Sequence, residues 1–294
     1  MTSKIESIHC ETLDEFWNRV SPIGDLFSAP ASKFVYRGQS DSAWKLIPRV
    51  FRRDVIDKYK NGMWVTLKDH PGQFIFEWAL LSSFISYCDS KGLAIPNDSM
   101  EFRTYFSQDS ITNLHAINTQ LWPEDRIIPL MALAQHHGIP TRLLDWSNNP
   151  YIACYFAAAS AIQEGFNNDD RIALFAINLH SYPRVEGIKH VNVPGSTSSN
   201  LSSQGGSFIL VENYGPRGED FTPEVSLESK LPDYGTILKK VTLPKSLAGD
   251  LLIRCDKFGF SAASIFPGYD GAARATLEGR LVFNFKNYVT SGFT

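Results

Sequence analysis

The chain has 294 residues, 43% of them hydrophobic, and 28 Lys+Arg stand against 31 Asp+Glu for a formal net charge of −3. That apolar content over that length builds one large core or two ordinary ones, which excludes disorder or a fibre as the main state. The near-neutral balance excludes a broadly basic nucleic-acid coat, since backbone affinity comes from clustered Lys and Arg that release counterions; a local basic groove stays open.

Cys10, Cys88, Cys154 and Cys255 lie far apart, with no Cys-x-x-Cys pair and no His at zinc-finger spacing. Neither a metal site nor a disulfide framework is expected. The most membrane-like run, Tyr151 to Ile162, is 12 residues long. A spanning helix needs about 20, and the opening residues lack the basic and then apolar regions of a signal peptide, so the expectation is a soluble, cytoplasmic protein without membrane contact.

In chain order, residues 1–30 are expected to hold an N-terminal helix: Thr12-Leu-Asp-Glu15 is a capping-box pattern, followed by Leu13, Phe16, Trp17 and Val20 at helical spacing. Lys33 to Arg37 reads as a short strand ending on the arginine and stopped by Gly38-Gln39-Ser40-Asp41. Residues 52–125 read as a helical insertion, with a buried helix over Gln73 to Cys88 and another over Phe102 to Thr119. Pro129 suits a first helical turn and Gly138 a C-terminal cap, so a short helix presents Gln135, His136 and His137 at its end. Thr141 to Trp146 reads as a buried strand. Asn149-Pro150 starts an Ala-rich helix running to Gly165.

Further strands are expected at Arg171 to Ile177 and Ser207 to Val211, joined through glycine- and serine-rich stretches at Gly195 to Ser199 and Ser202 to Gly206. Residues 213–235 read as a surface loop. Pro244 is expected to open a helix through Ile253, Ser261 to cap another, and Arg280 to Phe285 to alternate as a terminal strand. The simplest account is one α+β domain over residues 1–294.

Three stretches carry chemistry. Arg37 before Gly38 can hold a phosphate or carboxylate in bidentate fashion, with the glycine letting a ligand approach the backbone; the alternative is a structural ion pair with an interior carboxylate. Gln135 to Ser147 gathers two histidines, Asp145, Trp146 and Ser147 on short elements. There, His136 or His137 can instead cap a helix, Arg142 pair with Asp145 or another acid, and Trp146 be core. A hydrolase or nuclease built on His136 or His137 with Asp145 is a lower reading, as Ser147 lacks a Gly-x-Ser-x-Gly elbow. Finally, Gln204 before Gly205-Gly206 offers a neutral donor and acceptor to ligand hydroxyls, or simply sits in a turn. No P-loop or G-x-G-x-x-G stands in the chain.

Phe34-Val-Tyr-Arg-Gly-Gln-Ser40 with Trp44-Lys-Leu-Ile-Pro-Arg49 resembles the opening signature of FRG domains, and Leu133 to Ser147 with Pro150 and Tyr155-Phe156-Ala157 is similar to that family's central signature. Phe258 to Pro267 and Asp270-Gly271 resemble its C-terminal part, so the likeness runs from about Ala31 to Glu278. More distantly, the order Tyr36-Arg37-Gly38, then Asp145-Trp146-Ser147 before Phe156-Ala157, then Gln204 before Phe208, resembles ADP-ribosyltransferases of the Arg-Ser-Glu type. That likeness implies a split β-sheet core with a helical insertion and NAD as substrate. It implies an unknown macromolecular acceptor, protein or nucleic acid, and a toxin or phage-defence setting with an antitoxin-like partner.

Tyr36, Arg37, Gly38, Gln39, Trp146, Ser147 and Gln204 would then hold NAD, with Trp146 walling the nicotinamide pocket. Arg37, Ser147, Gln204, Asp145 and His136 would be the catalytic set. The sequence departs from that pattern at Gln204, where the transferases carry a glutamate: Gln204 keeps the hydrogen bond to the ribose but not the negative charge. The missing acid is then sought at Asp145, Glu212 or Glu278. The alternative is a non-catalytic module of the same fold that binds nucleotides or nucleic acid.

Overall fold

The computed structural model describes residues 4–27, 33–60, 67–164, 167, 169–179, 185–193, 204–233 and 237–291. Gly195 to Ser199, Ser202, Ser203 and Gly165 lie outside them. In chain order the elements are β1 (Ile5–His9), α1 (Leu13–Val20), β2 (Phe34–Gln39), α2 (Arg53–Tyr59), α3 (Gly72–Ser90), α4 (Met100–Phe106), α5 (Gln108–His115), α6 (Ile128–His136), β3 (Leu143–Ser147), α7 (Pro150–Ala161), β4 (Arg171–Asn178), β5 (Ile188–Val191), β6 (Gly206–Val211), α8 (Leu227–Lys230), β7 (Leu238–Pro244), α9 (Ala248–Lys257), α10 (Ala262–Ile265) and α11 (Tyr269–Ser291).

The strands form one open mixed sheet in the order β1-β7-β4-β2-β3-β6-β5, with β1 and β7 parallel and the other pairs antiparallel. The α+β class therefore holds. At the centre of the sheet β2 and β3 share the single register pair Tyr36↔Ser147, whereas β2 matches β4 from Phe34 to Gln39 and β3 matches β6 from Leu143 to Ser147. Beyond Tyr36 the two strands diverge and the sheet opens.

Side chains alternate across a strand. Tyr36 and Gly38 thus share a face with Leu143, Asp145 and Ser147, and Val35 and Arg37 share the other with Leu144 and Trp146. The first face carries two separate cores, one per half of the sheet. Phe16, Tyr155, Leu174, Val241 and Leu251 belong to the core beneath β2, β4 and β7, where α7 and α9 pack. Phe74, Leu81, Met131, Leu143 and Leu210 belong to the core beneath β3 and β6, where α3 and α6 pack. The second face has one continuous core that includes Val35, Phe51, Phe76, Trp146 and Phe175.

Local signals set most elements. Thr12 caps α1 by accepting from the Glu15 N–H at 3.2 Å, while the Glu15 carboxylate reaches back to the Glu11 N–H, one residue before the cap. Asn149 caps α7 through the Tyr151 N–H, and Gly138 takes φ +90° just past the end of α6. The expected helix over Phe102 to Thr119 is broken at Ser107, which caps α5 by accepting from Ser110.

Other expectations are overturned. β2 does not end at Arg37 but runs through Gly38 to Gln39, because β4 pairs along its full length. Arg280 to Phe285 is helical, inside α11: Leu281, Val282, Phe285 and Val289 meet one core at helical spacing, and the spacing of Leu281, Phe283 and Phe285 only mimics alternation. Pro244 closes β7, and a 3₁₀ turn at Lys245–Leu247 precedes α9. The described part of the expected surface loop at 213–235, residues 213–233, is not merely surface, since Phe221, Leu227 and Leu231 are buried in the second-face core. The sequence expectations also miss β1, β5 and β7; in β7, Lys239 and Lys240 interrupt the apolar pattern.

The helices inserted between β2 and β3 are fastened to the sheet by one buried ion pair. Arg142, just before β3, donates from Nε and Nη2 to the Glu77 carboxylate of α3 at 2.8 Å each, and from Nη1 to the Trp122 carbonyl at 3.1 Å. Gln73 and the Trp122 indole also donate to Glu77, both at 3.1 Å. Arg142 therefore pairs with Glu77 and not with Asp145.

Candidate functional site

Where β2 and β3 part, a cleft of about 720 Å³ opens between the two first-face cores. Tyr36, Arg37 and Gly38 come to it from β2, Asp145, Trp146 and Ser147 from β3, His136 from the end of α6, and Gln204 from the turn before β6. Of the residues expected to hold NAD or act in catalysis, all line this one cleft except Gln39; His137, named for a hydrolase, does not line it. Gln39 is 7% exposed, and its side-chain oxygen is buried without a hydrogen-bond partner.

Arg37 bridges the opening. Its Nη1 donates to the Asp145 carbonyl at 2.7 Å, and the Asp145 carboxylate lies 3.8 Å away. This contact spans strands that main-chain hydrogen bonds would otherwise join. The Arg37 Nε is buried and makes no hydrogen bond. Burial pushes the guanidinium pKa down, and Asp145 only partly offsets it. A cation in this state gains from an added anion.

Asp145 is the exposed member of its strand, and its carboxylate is gripped from below. Gln135 Nε2 donates to Oδ1 at 2.6 Å, and Thr141 in turn donates to the Gln135 side-chain carbonyl. Ser147 faces inward: its hydroxyl donates to the Gln204 carbonyl at 2.8 Å and accepts from the Asn149 N–H at 3.0 Å. Ser147 thereby ties the start of α7 to the turn before β6. His136 stands T-shaped against His137, ring centroids 5.0 Å apart, and its pKa is lowered by desolvation and by His137.

Two sequence readings change. Gly38 is required by packing, not by a ligand: a Cβ there would stand 1.9 Å from the Ala153 carbonyl of α7. Trp146 contributes to the floor of the cleft but is 3% exposed and belongs to the second-face core, with its indole N–H unpartnered. The aromatic walls are Phe156 of α7 and Phe266, edge to face at 6.1 Å.

The sequence also left Arg274 and Leu277 of α11 out of the site; both line the cleft, as does Asp270. Their signal was obscured because this stretch abuts the segment read as a strand. Of the acids considered in place of Gln204, Asp145 lies in the cleft. Glu212 and Glu278 do not line it; Glu278 instead accepts from Tyr155 at 2.7 Å on the other side of α7. Among the described residues no three His, Cys, Asp or Glu side chains are grouped to hold a metal ion, and no helix is long and apolar enough to cross a membrane.

These features define a mixed α+β protein whose polar cleft sits in a parted sheet, with an arginine across the gap. Residues 32–165 match the FRG domain model, so the chain carries an FRG domain. The matched stretch holds β2, the inserted helices, α6, β3 and α7, hence both edges of the parting. Gln204 and the wall from α11 lie beyond it, as does the resemblance at Phe258 to Gly271. No curated protein and no solved structure matches the chain.

Proposed function

We propose that the cleft binds NAD and that the protein is an ADP-ribosyltransferase-like enzyme acting on a macromolecular acceptor. The observation that carries this reading is the meeting of Arg37, Asp145, Ser147 and Gln204, distant in sequence, at one parted pair of strands. The cleft volume falls in the range of about 300–1,000 Å³ usual for ligand sites. Arg37, with an unpaired donor in a dry setting, is suited to the dinucleotide's diphosphate. Phe156 and Phe266 offer ring faces to a base.

In transfer, the bond between ribose C1′ and the nicotinamide nitrogen breaks, and nicotinamide leaves neutral with the electron pair. An acceptor oxygen or nitrogen bonds to C1′ and releases its proton. Asp145, fixed by Gln135 and Arg37, is placed to receive that proton and to offset positive charge at the ribose, the part a glutamate at position 204 plays in the resembled transferases. Gln204 contributes a neutral hydrogen bond, and Ser147 holds the Gln204 main chain in place.

The test is incubation with labelled NAD and cell lysate. Label transfer or nicotinamide release by the wild type, reduced about 100-fold or more in Arg37→Ala and in Asp145→Asn, supports the reading. Neither product from the wild type, with Arg37→Ala indistinguishable from it, sinks the enzyme. The glutamine at position 204 favours a second reading, a module of the same fold that binds NAD or ADP-ribose without turning it over. Calorimetric binding of both ligands with no nicotinamide release selects it.

A further inference from the structure

The cationic character of the site does not stop at the cleft. The segment after β2 runs past the open end of the parting and carries Arg49, Arg52 and Arg53. The Arg49 Nη1 donates to the Gly138 carbonyl at 3.1 Å, which sets its guanidinium at the end of α6 beside the exposed His136 and His137. Arg52 Nε donates to the Ile47 carbonyl at 3.2 Å. Arg52 is near enough to Arg37, and Arg49 to Arg52, for the neighbour's charge to lower the proton affinity of Arg37 and of Arg52.

Like charges held together repel, and proteins usually interleave acids among them. Arg103 shows the usual arrangement, with Asp98 at 2.6 Å and Asp89 at 2.8 Å. Among the described residues no carboxylate reaches ion-pair distance of Arg49 or Arg52; Asp54 acts on Arg52 only from farther off. Neither arginine lines the cleft. A ligand small enough for the cleft leaves both without a counter-charge, and a longer polyanion entering it supplies one.

We propose that the acceptor is a single-stranded nucleic acid whose phosphates lie along Arg52 and Arg49 and whose base stacks on His136 at the cleft mouth. Cations that follow a backbone beside exposed ring faces form the usual platform for single strands, whereas an acidic peptide would use the charges and leave the rings idle. Trp44, half exposed on the same segment, adds a further ring face. The proposal rests on the reading of the cleft as the NAD site. A nucleophilic nitrogen or hydroxyl of the presented nucleotide then bonds to ribose C1′ as nicotinamide departs, and its proton passes to Asp145.

Fluorescence anisotropy of short labelled single-stranded RNA and DNA, without NAD, tests the strand site over a series of salt concentrations. The wild type is expected to bind at least one of the two, with affinity falling steeply with salt. Arg49→Gln/Arg52→Gln is expected to weaken binding by about tenfold or more and to reduce the log–log salt slope by about 1.4. Arg49→Gln alone, a change at an exposed side chain, is expected to reduce the slope by about 0.7 and serves if the double variant fails to fold. Absence of strand binding by the wild type, an unchanged slope in the variants, or equal competition by polyglutamate overturns the proposal. Calorimetry with NAD on the same proteins separates the two readings: strand binding without NAD binding removes the cleft assignment, and NAD binding without strand binding removes this one.

Discussion

Two arginines of the FRG domain, Arg142 buried and Arg37 half-buried, meet opposite fates. Arg142 is 1% exposed and spends its guanidinium inside the protein, on both oxygens of Glu77 and on the Trp122 carbonyl. Arg37 keeps 18% of its side chain exposed, holds one carbonyl, stands 3.8 Å from the Asp145 carboxylate and leaves Nε unpaired beside an open cleft. Arg37 lies within β2, and Arg142 immediately precedes β3. The contrast lies in their partners: Arg142 is a fastener with its donors met inside the protein, and Arg37 is left with a donor unmet beside the cleft.

Removing either member of the fully paired site should have the largest effect. Arg142→Met leaves Glu77 as an uncompensated buried charge and is expected to cost about 3–5 kcal/mol in urea unfolding. Glu77→Leu together with Arg142→Met should recover part of that loss. A single substitution costing under about 1 kcal/mol would erase the contrast with Arg37.

Arg37→Met should reverse the pattern, changing unfolding free energy by less than about 1 kcal/mol while lowering NAD turnover about 100-fold or more. A large loss of stability with NAD affinity intact would put Arg37 beside Arg142 as a fastener. Gly38→Ala, next to it, tests packing: the new methyl meets the Ala153 carbonyl, and the expected cost is about 1–3 kcal/mol, read from the thermal midpoint.

The smallest effect is a pH dependence. His115 sits at 0% exposure beside the Arg142 network, between Phe74 and Trp122, with both ring nitrogens unpartnered. Burial lowers its pKa below the usual 6.5, Arg142 adds to the shift, and Glu124 at 3.9 Å opposes it. His70 and His190 are lowered in the same way, chiefly by burial. The folded state therefore favours the neutral rings, and the unfolded chain takes up protons first as pH falls. Stability should be full above about pH 6.5 and decline below it, and His115→Leu should flatten the decline. A stability profile that is level or rises on acidification would contradict this.

Much of the frame was legible. The Thr12 and Asn149 caps, Pro129, Gly138 and the aromatic run of α3 each act through neighbours a few residues away, and each stands where the sequence puts it. Illegible elements depend on distant partners. β7 is held between β1 and β4 despite its paired lysines. Residues 280–285 follow the helix that packs against α9, although four residues of alternation can signal either state.

The same division runs through the site. The sequence by itself determined which side chains were candidates, because Arg37, Asp145, Ser147 and Gln204 are chemically conspicuous at strand ends and turns. Only the tertiary structure decided what each one touches. Register parts β2 from β3 and sets Arg37 across the gap, Ser147 turns to the main chain, Trp146 turns to the core, and Gly38 makes room for α7. Local propensity acts over a few residues along the chain, whereas a hydrogen-bond partner is chosen by whatever folding brings within about 3 Å, and no spacing in one dimension carries that information.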